Sequence, residues 1–247
     1  MPGKVMLLLH KRTWLPVPAA LRAGDEQLAA ALRHLPLLGF GLGTVQALLA
    51  LQLAQLPLPL AAVALLCLDL LSGGGVLLVE LMWFASALPV AEAADGQAPA
   101  QPPRTTAALI GGAAFLLLRF GIYYYLPRLL WGWQYILPLL RCLGGFCYLW
   151  LAYDFAARVP AKLHRGLRRA DLLFGGAVLL FGAAFLSLWR GAAALIPALL
   201  PGLLIAWAPA RLRADRLGGL TPDVYGAAAA AAETVFALSY IVLSRFL

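Results

Sequence analysis

The sequence predicts an all-helical, membrane-embedded bundle of about seven transmembrane helices, and three observations carry that expectation. Of 247 residues, 63% are hydrophobic and only 12% are charged, with a mean hydropathy of +0.85, which excludes a soluble domain of ordinary composition. The uncharged blocks are about 20 residues long, the length at which a helix crosses the hydrocarbon layer. The joins between blocks are short and rich in Pro, Gly, Lys and Arg, leaving no room for a separate soluble unit, so 1–247 is expected to form one membrane domain. The net charge of +8 follows from those joins and lacks the aromatic interleaving of a nucleic-acid surface. Cys67, Cys142 and Cys147 lie in apolar stretches with no metal or redox spacing and read as packing residues.

Residues 1–34 hold Val5 to Leu9 between basic residues, too short an apolar run for a signal-peptide core. They are expected to lie on the cytoplasmic surface, with Trp14 at headgroup level. Span one covers Leu35 to Leu56, with Gly39 and Gly43 at a spacing that lets helices approach closely. Pro57-Leu58-Pro59 then turns the chain into a hairpin. Span two runs from about Leu60 to Leu88, is interrupted at Ser72 to Gly75, and holds Asp69 and Glu80 at apolar depth.

The segment 89–106 is a Pro- and Ala-rich loop with Glu92, Asp95 and Arg104. Span three follows over about Ala107 to Leu126, with Arg119 inside. The remaining spans cover about Leu129 to Tyr153 around Arg141, Leu172 to Trp189, Ala192 to Ala208, and Val224 to Leu243 around Glu233. Pro138, Pro197 and Pro201 are expected to kink or locally open their helices. His10, His34 and His164 lie on basic segments and read as surface residues.

Counting basic residues join by join orients the bundle. Fourteen of the nineteen Lys and Arg fall on the side of the N-terminal segment, whereas Arg128, Arg190 and Arg245 fall on the other and Arg119 and Arg141 lie within spans. By the positive-inside rule the N-terminus is cytoplasmic and the C-terminus external. Counted at 1.5 Å per residue, Asp69, Arg119, Arg141 and Glu233 all come near mid-membrane. There an unpaired charge costs about 2.5–3.5 kcal/mol on insertion scales. Two ion pairs are expected, Asp69 with Arg119 and Glu233 with Arg141, as sites of function or as glue for the bundle.

The last span opens with Thr221-Pro222-Asp223, a cap, a first-turn proline and an acid at the positive end of the helix dipole. Capping leaves Gly218, Gly219, Gly226 and Glu233 unexplained, and glycines at a helix start make room for a phosphate or metal. This stretch resembles the C-terminal signature of the cobalamin synthase family (adenosylcobinamide-GDP ribazoletransferases), GG-x-T-G-D-x-x-G-A followed by Glu, through Gly218, Gly219, Thr221, Asp223, Gly226, Ala227 and Glu233. Arg12 to Pro18, RTWLPVP, is similar to the family's opening T-x-LP-x-P, and His34 to Gly43 is similar to its FP-x-VG-x-x-x-G segment. Arg141 falls on its Ser-Arg step and Arg119 on its span-three lysine, so the resemblance runs nearly end to end.

The resemblance implies a multi-pass transferase of the bacterial inner membrane that joins adenosylcobinamide-GDP to α-ribazole or its phosphate and releases GMP, with Mg²⁺ bridging carboxylates and diphosphate. It assigns Asp223, Glu233 and Arg141 to catalysis. Gly218, Gly219, Thr221, Gly226, Arg104 and Arg119 fall to substrate phosphate, and Glu80 and Asp223 to the metal. The chain departs from the family in span two, where an acid-rich HLDG-x-x-D-x-x-DG motif is replaced by GGGVLLVELMWFASAL from Gly73 to Leu88, and T-G-D has become T-P-D. Two further readings therefore stand beside the transferase: an inactive relative that binds a corrinoid or a partner subunit, and a small transporter.

Overall fold

A computed structural model describes residues 31–72, 106–129, 133–155, 167–190, 193–217 and 222–246. Its helices are α1 (Leu35–Leu53), α2 (Leu58–Ser72), α3 (Thr106–Tyr125), α4 (Trp133–Asp154), α5 (Arg169–Arg190), α6 (Leu195–Leu217) and α7 (Pro222–Leu243). A 3₁₀ turn at Leu126–Arg128 ends α3, and there is no strand among the described residues. Six helices are long and apolar enough to cross a membrane, so the chain is a multi-pass helical bundle. The other, α2, has 15 residues, about 22 Å at 1.5 Å per residue, which is short of a crossing. The rest of the expected second span, Gly73 to Leu88, lies outside the described residues, as do the N-terminal segment 1–30 and most of the 89–106 loop.

The helices begin and end close to where the sequence places them. Pro57 supplies the first carbonyl of α2, accepting from the N–H groups of Leu60 and Ala61 at 2.9 and 3.0 Å, which is the turn expected from Pro-Leu-Pro. At the start of α5 the backbone N–H of Arg168 donates to Asp171 Oδ2 at 2.9 Å, satisfying a first-turn donor that would otherwise be orphaned. Helix α7 starts at Pro222, the expected first position. Helix α6 runs on to Leu217, past the expected end at Ala208, because Ala206, Ala210 and Ala214 form a buried stripe at every fourth residue that keeps the helix against the core. Pro138 and Pro201 lie inside α4 and α6 as expected. Pro197 instead sits in the first turn of α6, where its missing N–H has no intrahelical partner to lose.

Two helices form the centre. In α4 and α7, 67% and 61% of the apolar span is buried inside the protein, against 28–33% in each of the other crossings. The outer helices turn large apolar side chains outward, among them Leu188, Phe181 and Leu117, the surface a hydrocarbon solvent wets without cost. Cys142 and Cys147 are buried in the core, whereas Cys67 is exposed on α2.

Spans one and two touch as a hairpin, but the principal partner of α1 is α4. Glycine explains the preference. A Cβ on Gly39 would collide with the carbonyl of Arg141, one on Gly43 with Leu137 and Pro138, and one on Gly145 would come to 2.6 Å from the carbonyl of Leu35. These contacts pair residues 35, 39 and 43 with 145, 141 and 137, so α1 and α4 cross antiparallel with their backbones in contact. Tyr125 accepts a hydrogen bond from Arg245 at 2.6 Å, putting the C-terminal ends of α3 and α7 together. Trp207 of α6 donates to Asp154 at the end of α4, at 3.2 Å. The first contact matches the shared direction that alternating spans require of α3 and α7.

Candidate functional site: a buried four-charge cluster

Among the described residues, four charges near mid-membrane are each delivered by a different helix: Asp69 by α2, Arg119 by α3, Arg141 by α4 and Glu233 by α7. Arg119, Arg141 and Glu233 lie inside their helices, where their own backbone groups are internally bonded and only the side chains need partners, whereas Asp69 lies in the last described turn of α2. Gly144 and Tyr123 complete the local geometry. Gly144 follows Arg141 by one turn, and a Cβ there would collide with the Glu233 carboxylate, so the absent side chain is the space that Glu233 occupies. Tyr123 follows Arg119 by one turn and donates from its hydroxyl to Asp69 Oδ2 at 2.7 Å.

The four charges form one cluster in which each acid meets both arginines. Arg119 Nη2 donates to Glu233 Oε2 at 2.6 Å and to the carbonyl of Ala230 at 3.4 Å. Arg141 Nη1 reaches Glu233 Oε2 at 3.1 Å, its Nη2 pairs with Asp69 Oδ1, and its Nε donates to Gln46 Oε1 on α1 at 3.1 Å. Arg119 Nη1 stands 3.9 Å from Asp69 Oδ2. The expected pairs are thus present as the longer contacts of the set, while the short ones cross over, Arg119 with Glu233 and Arg141 with Asp69. Helix order explains the crossing: α7 packs against both α3 and α4, so Glu233 is shared instead of belonging to Arg141 alone.

Burial grades the members. The side chains of Arg119 and Asp69 are 0% and 1% exposed, that of Glu233 6%, and that of Arg141 12%. Two positive and two negative charges cancel, which is the condition for holding ions at this depth. Arg119 also lies 5.3 Å from the Phe115 ring centroid, within cation–π range.

The structure brings together three of the residues assigned from sequence, Arg119, Arg141 and Glu233, and adds Asp69, Tyr123, Gln46 and Gly144. Asp69 was legible as an intramembrane acid. Tyr123 and Gly144 carried no signal beyond following Arg119 and Arg141 by one turn, and Gln46 none beyond being an amide in an apolar span. Gly226 is buried in the first turns of α7, while Gly218, Gly219, Thr221, Arg104 and Glu80 lie outside the described residues, as does the side chain of Asp223. Magnesium does not fit the cluster: Asp69 and Glu233 are each neutralised by guanidinium groups, and a hard dication needs uncompensated oxygen ligands. Among the described residues no group of three or more His, Cys, Asp or Glu is arranged to hold a metal.

With this geometry in view, the similarity to known proteins is informative because it spans every helix that contributes a charge. The family model described as cobalamin-5-phosphate synthase matches residues 4–241. The chain belongs to that family. Relatives named adenosylcobinamide-GDP ribazoletransferase occur in Synechococcus elongatus, 27% identical over 93% of this chain and 92% of that protein, and in Desulfitobacterium hafniense, 29% identical over 95% of each. No solved structure matches the chain significantly. Within the cobalamin-5-phosphate synthase family, then, this member places charges from four separate segments in one net-neutral cluster.

Proposed function

We propose that this chain joins adenosylcobinamide-GDP to α-ribazole or its phosphate and releases GMP, as the names of its relatives describe. One observation carries the reading. The family match is continuous along the chain, and in space the signature helix α7 lays Glu233 on Arg119 and Arg141, so sequence segments matched far apart converge at one site. An inactive corrinoid binder and a small transporter are disfavoured, since full-length relatives carry the transferase name.

In this reaction the alcohol oxygen of the ribazole attacks the phosphorus next to cobinamide. The bond from that phosphorus to the bridging oxygen breaks, GMP leaves with the bridging oxygen and its electron pair, and the alcohol proton passes to a base. Catalysis of such a transfer is mainly positioning and charge stabilisation. Arg141, the charged member nearest the surface of the cluster, is the phosphate contact, and Glu233 holds it in place. Asp223 is assigned with them to catalysis, and Gly218, Gly219, Thr221 and Gly226 at the start of α7, with Arg104 from the 89–106 loop, to substrate phosphate. Glu80 and Asp223 would hold magnesium, which would neutralise charge on the diphosphate. The bundle sits in the bacterial inner membrane with its N-terminus in the cytoplasm and its C-terminus outside.

The test is direct. Full-length protein in liposomes, given adenosylcobinamide-GDP, α-ribazole and Mg²⁺, is expected to release GMP, and Asp223→Asn to abolish release without loss of folded protein. No release from the wild-type protein, under conditions where a family relative turns over, would overturn the assignment.

A further inference from the structure

We infer that Arg141 is an exchangeable guanidinium: Asp69 holds it in the resting protein as an internal competitor, and a phosphate or diphosphate ester displaces that carboxylate when it binds. The inference rests on the reading of Arg141 as the phosphate contact and adds to it a built-in brake. The donor inventory of the two arginines is the basis. A guanidinium offers five N–H groups in a planar fork. All three nitrogens of Arg141 are engaged, with Glu233, Asp69 and Gln46. Arg119 uses only Nη2 for hydrogen bonds, and its Nε and Nη1 have no hydrogen-bond partner among the described residues.

That asymmetry decides which arginine can leave its acid. If Arg119 departed, a fully buried group would have to cross the bundle and Glu233 would lose its shortest bond. If Arg141 turns its Nη2 edge away, Asp69 keeps the Tyr123 hydroxyl at 2.7 Å. Nη1 of Arg119 already faces the same carboxylate as an ion pair at 3.9 Å, about 0.7 Å beyond hydrogen-bond range, so a small shift completes the replacement. Glu233 meanwhile keeps Arg119 at 2.6 Å. Arg141 is also the most exposed of the four side chains, at 12%, so of the two arginines it is the one an incoming anion reaches first. Phosphate suits the vacated edge because its oxygens match two parallel guanidinium donors as a carboxylate does.

The experiment uses full-length protein in nanodiscs and inorganic pyrophosphate as the probe, with affinity read by calorimetry and folding by thermal melting. Removing the competitor should help the ligand: Asp69→Asn, which keeps the shape and removes the charge, is expected to tighten pyrophosphate binding about tenfold, the scale of one charge-assisted hydrogen bond. Strengthening the competition should do the reverse. Gln46→Glu adds a second acid to Arg141 and is expected to weaken binding about tenfold, and Arg141→Gln to abolish it while the protein still melts cooperatively. Unchanged or weaker binding in Asp69→Asn would overturn the inference. Should that variant fail to fold, unchanged or tighter binding in Gln46→Glu would overturn it instead. The readout does not use turnover, so an absence of GMP release would fall on the proposed reaction and leave the exchange standing or falling by itself.

Discussion

Arg119 is a fully buried cation in lipid-solvated protein, and the consequences of that placement are specific. Its loss leaves Glu233 and Asp69 short of countercharge, and breaking a buried pair from one side costs about 3–5 kcal/mol. Arg119→Gln is therefore expected to remove most folded protein from the membrane fraction, measured by detergent-resistant monodispersity, whereas Arg141→Gln leaves both acids in reach of Arg119 and should retain most of it. The shared geometry also changes the outcome of a charge swap. For an isolated pair, R141E/E233R would restore what the single variants lose. Here the new glutamate would face Asp69 and the new arginine would face Arg119, so the double variant is expected to be no better than either single one by the same measurement. Gly144→Ala puts a methyl group where the Glu233 carboxylate lies, and overpacking of this kind costs about 1–3 kcal/mol. A lower melting temperature and reduced GMP release should accompany it.

At the scale of helices, the spans could be read from hydropathy because lipid leaves a segment no alternative to internal backbone bonding. Which helices touch could not be read the same way. Gly39 and Gly43 announced a close approach without naming the partner, and chain order favoured α2, yet the seam is with α4, where Gly145 supplies the third opening. The seam fixes the depth of Arg141, since Gly39 rests on that residue's own carbonyl. Gly43→Leu is thus expected to force α1 from α4 and to lower both the melting temperature and pyrophosphate affinity, the second because Gln46, three residues on, is carried away from Arg141. An exposed substitution on α5 such as Leu188→Ala, at a residue 87% exposed, should change neither.

For the whole molecule, the arrangement of ends is the testable matter. Arg245 on Tyr125 places the C-terminal ends of α3 and α7 at one face, and Trp207 on Asp154 sets the end of α4 against the middle of α6. The proposed orientation makes the face that carries most of the basic residues cytoplasmic. A reporter active only outside the cytoplasm should be active at the C-terminus and silent when inserted within 156–166. The converse pattern would invert the bundle and place Arg104 and the start of α7 on the side opposite nucleotide substrates.

Composition and spacing determined the all-helical membrane class, the ends of most helices and the identity of the buried charges, because each depends on local transfer free energy or on the backbone's own requirements. The end-to-end resemblance also made the family legible. The tertiary structure alone decided that four charges form one cluster with crossed partners, that Gln46, Tyr123 and Gly144 belong to it, and that α1 lies on α4. Those outcomes depend on which helix faces come together, and Coulomb attraction in a medium of low dielectric joins whatever charges packing brings close, regardless of their distance along the chain.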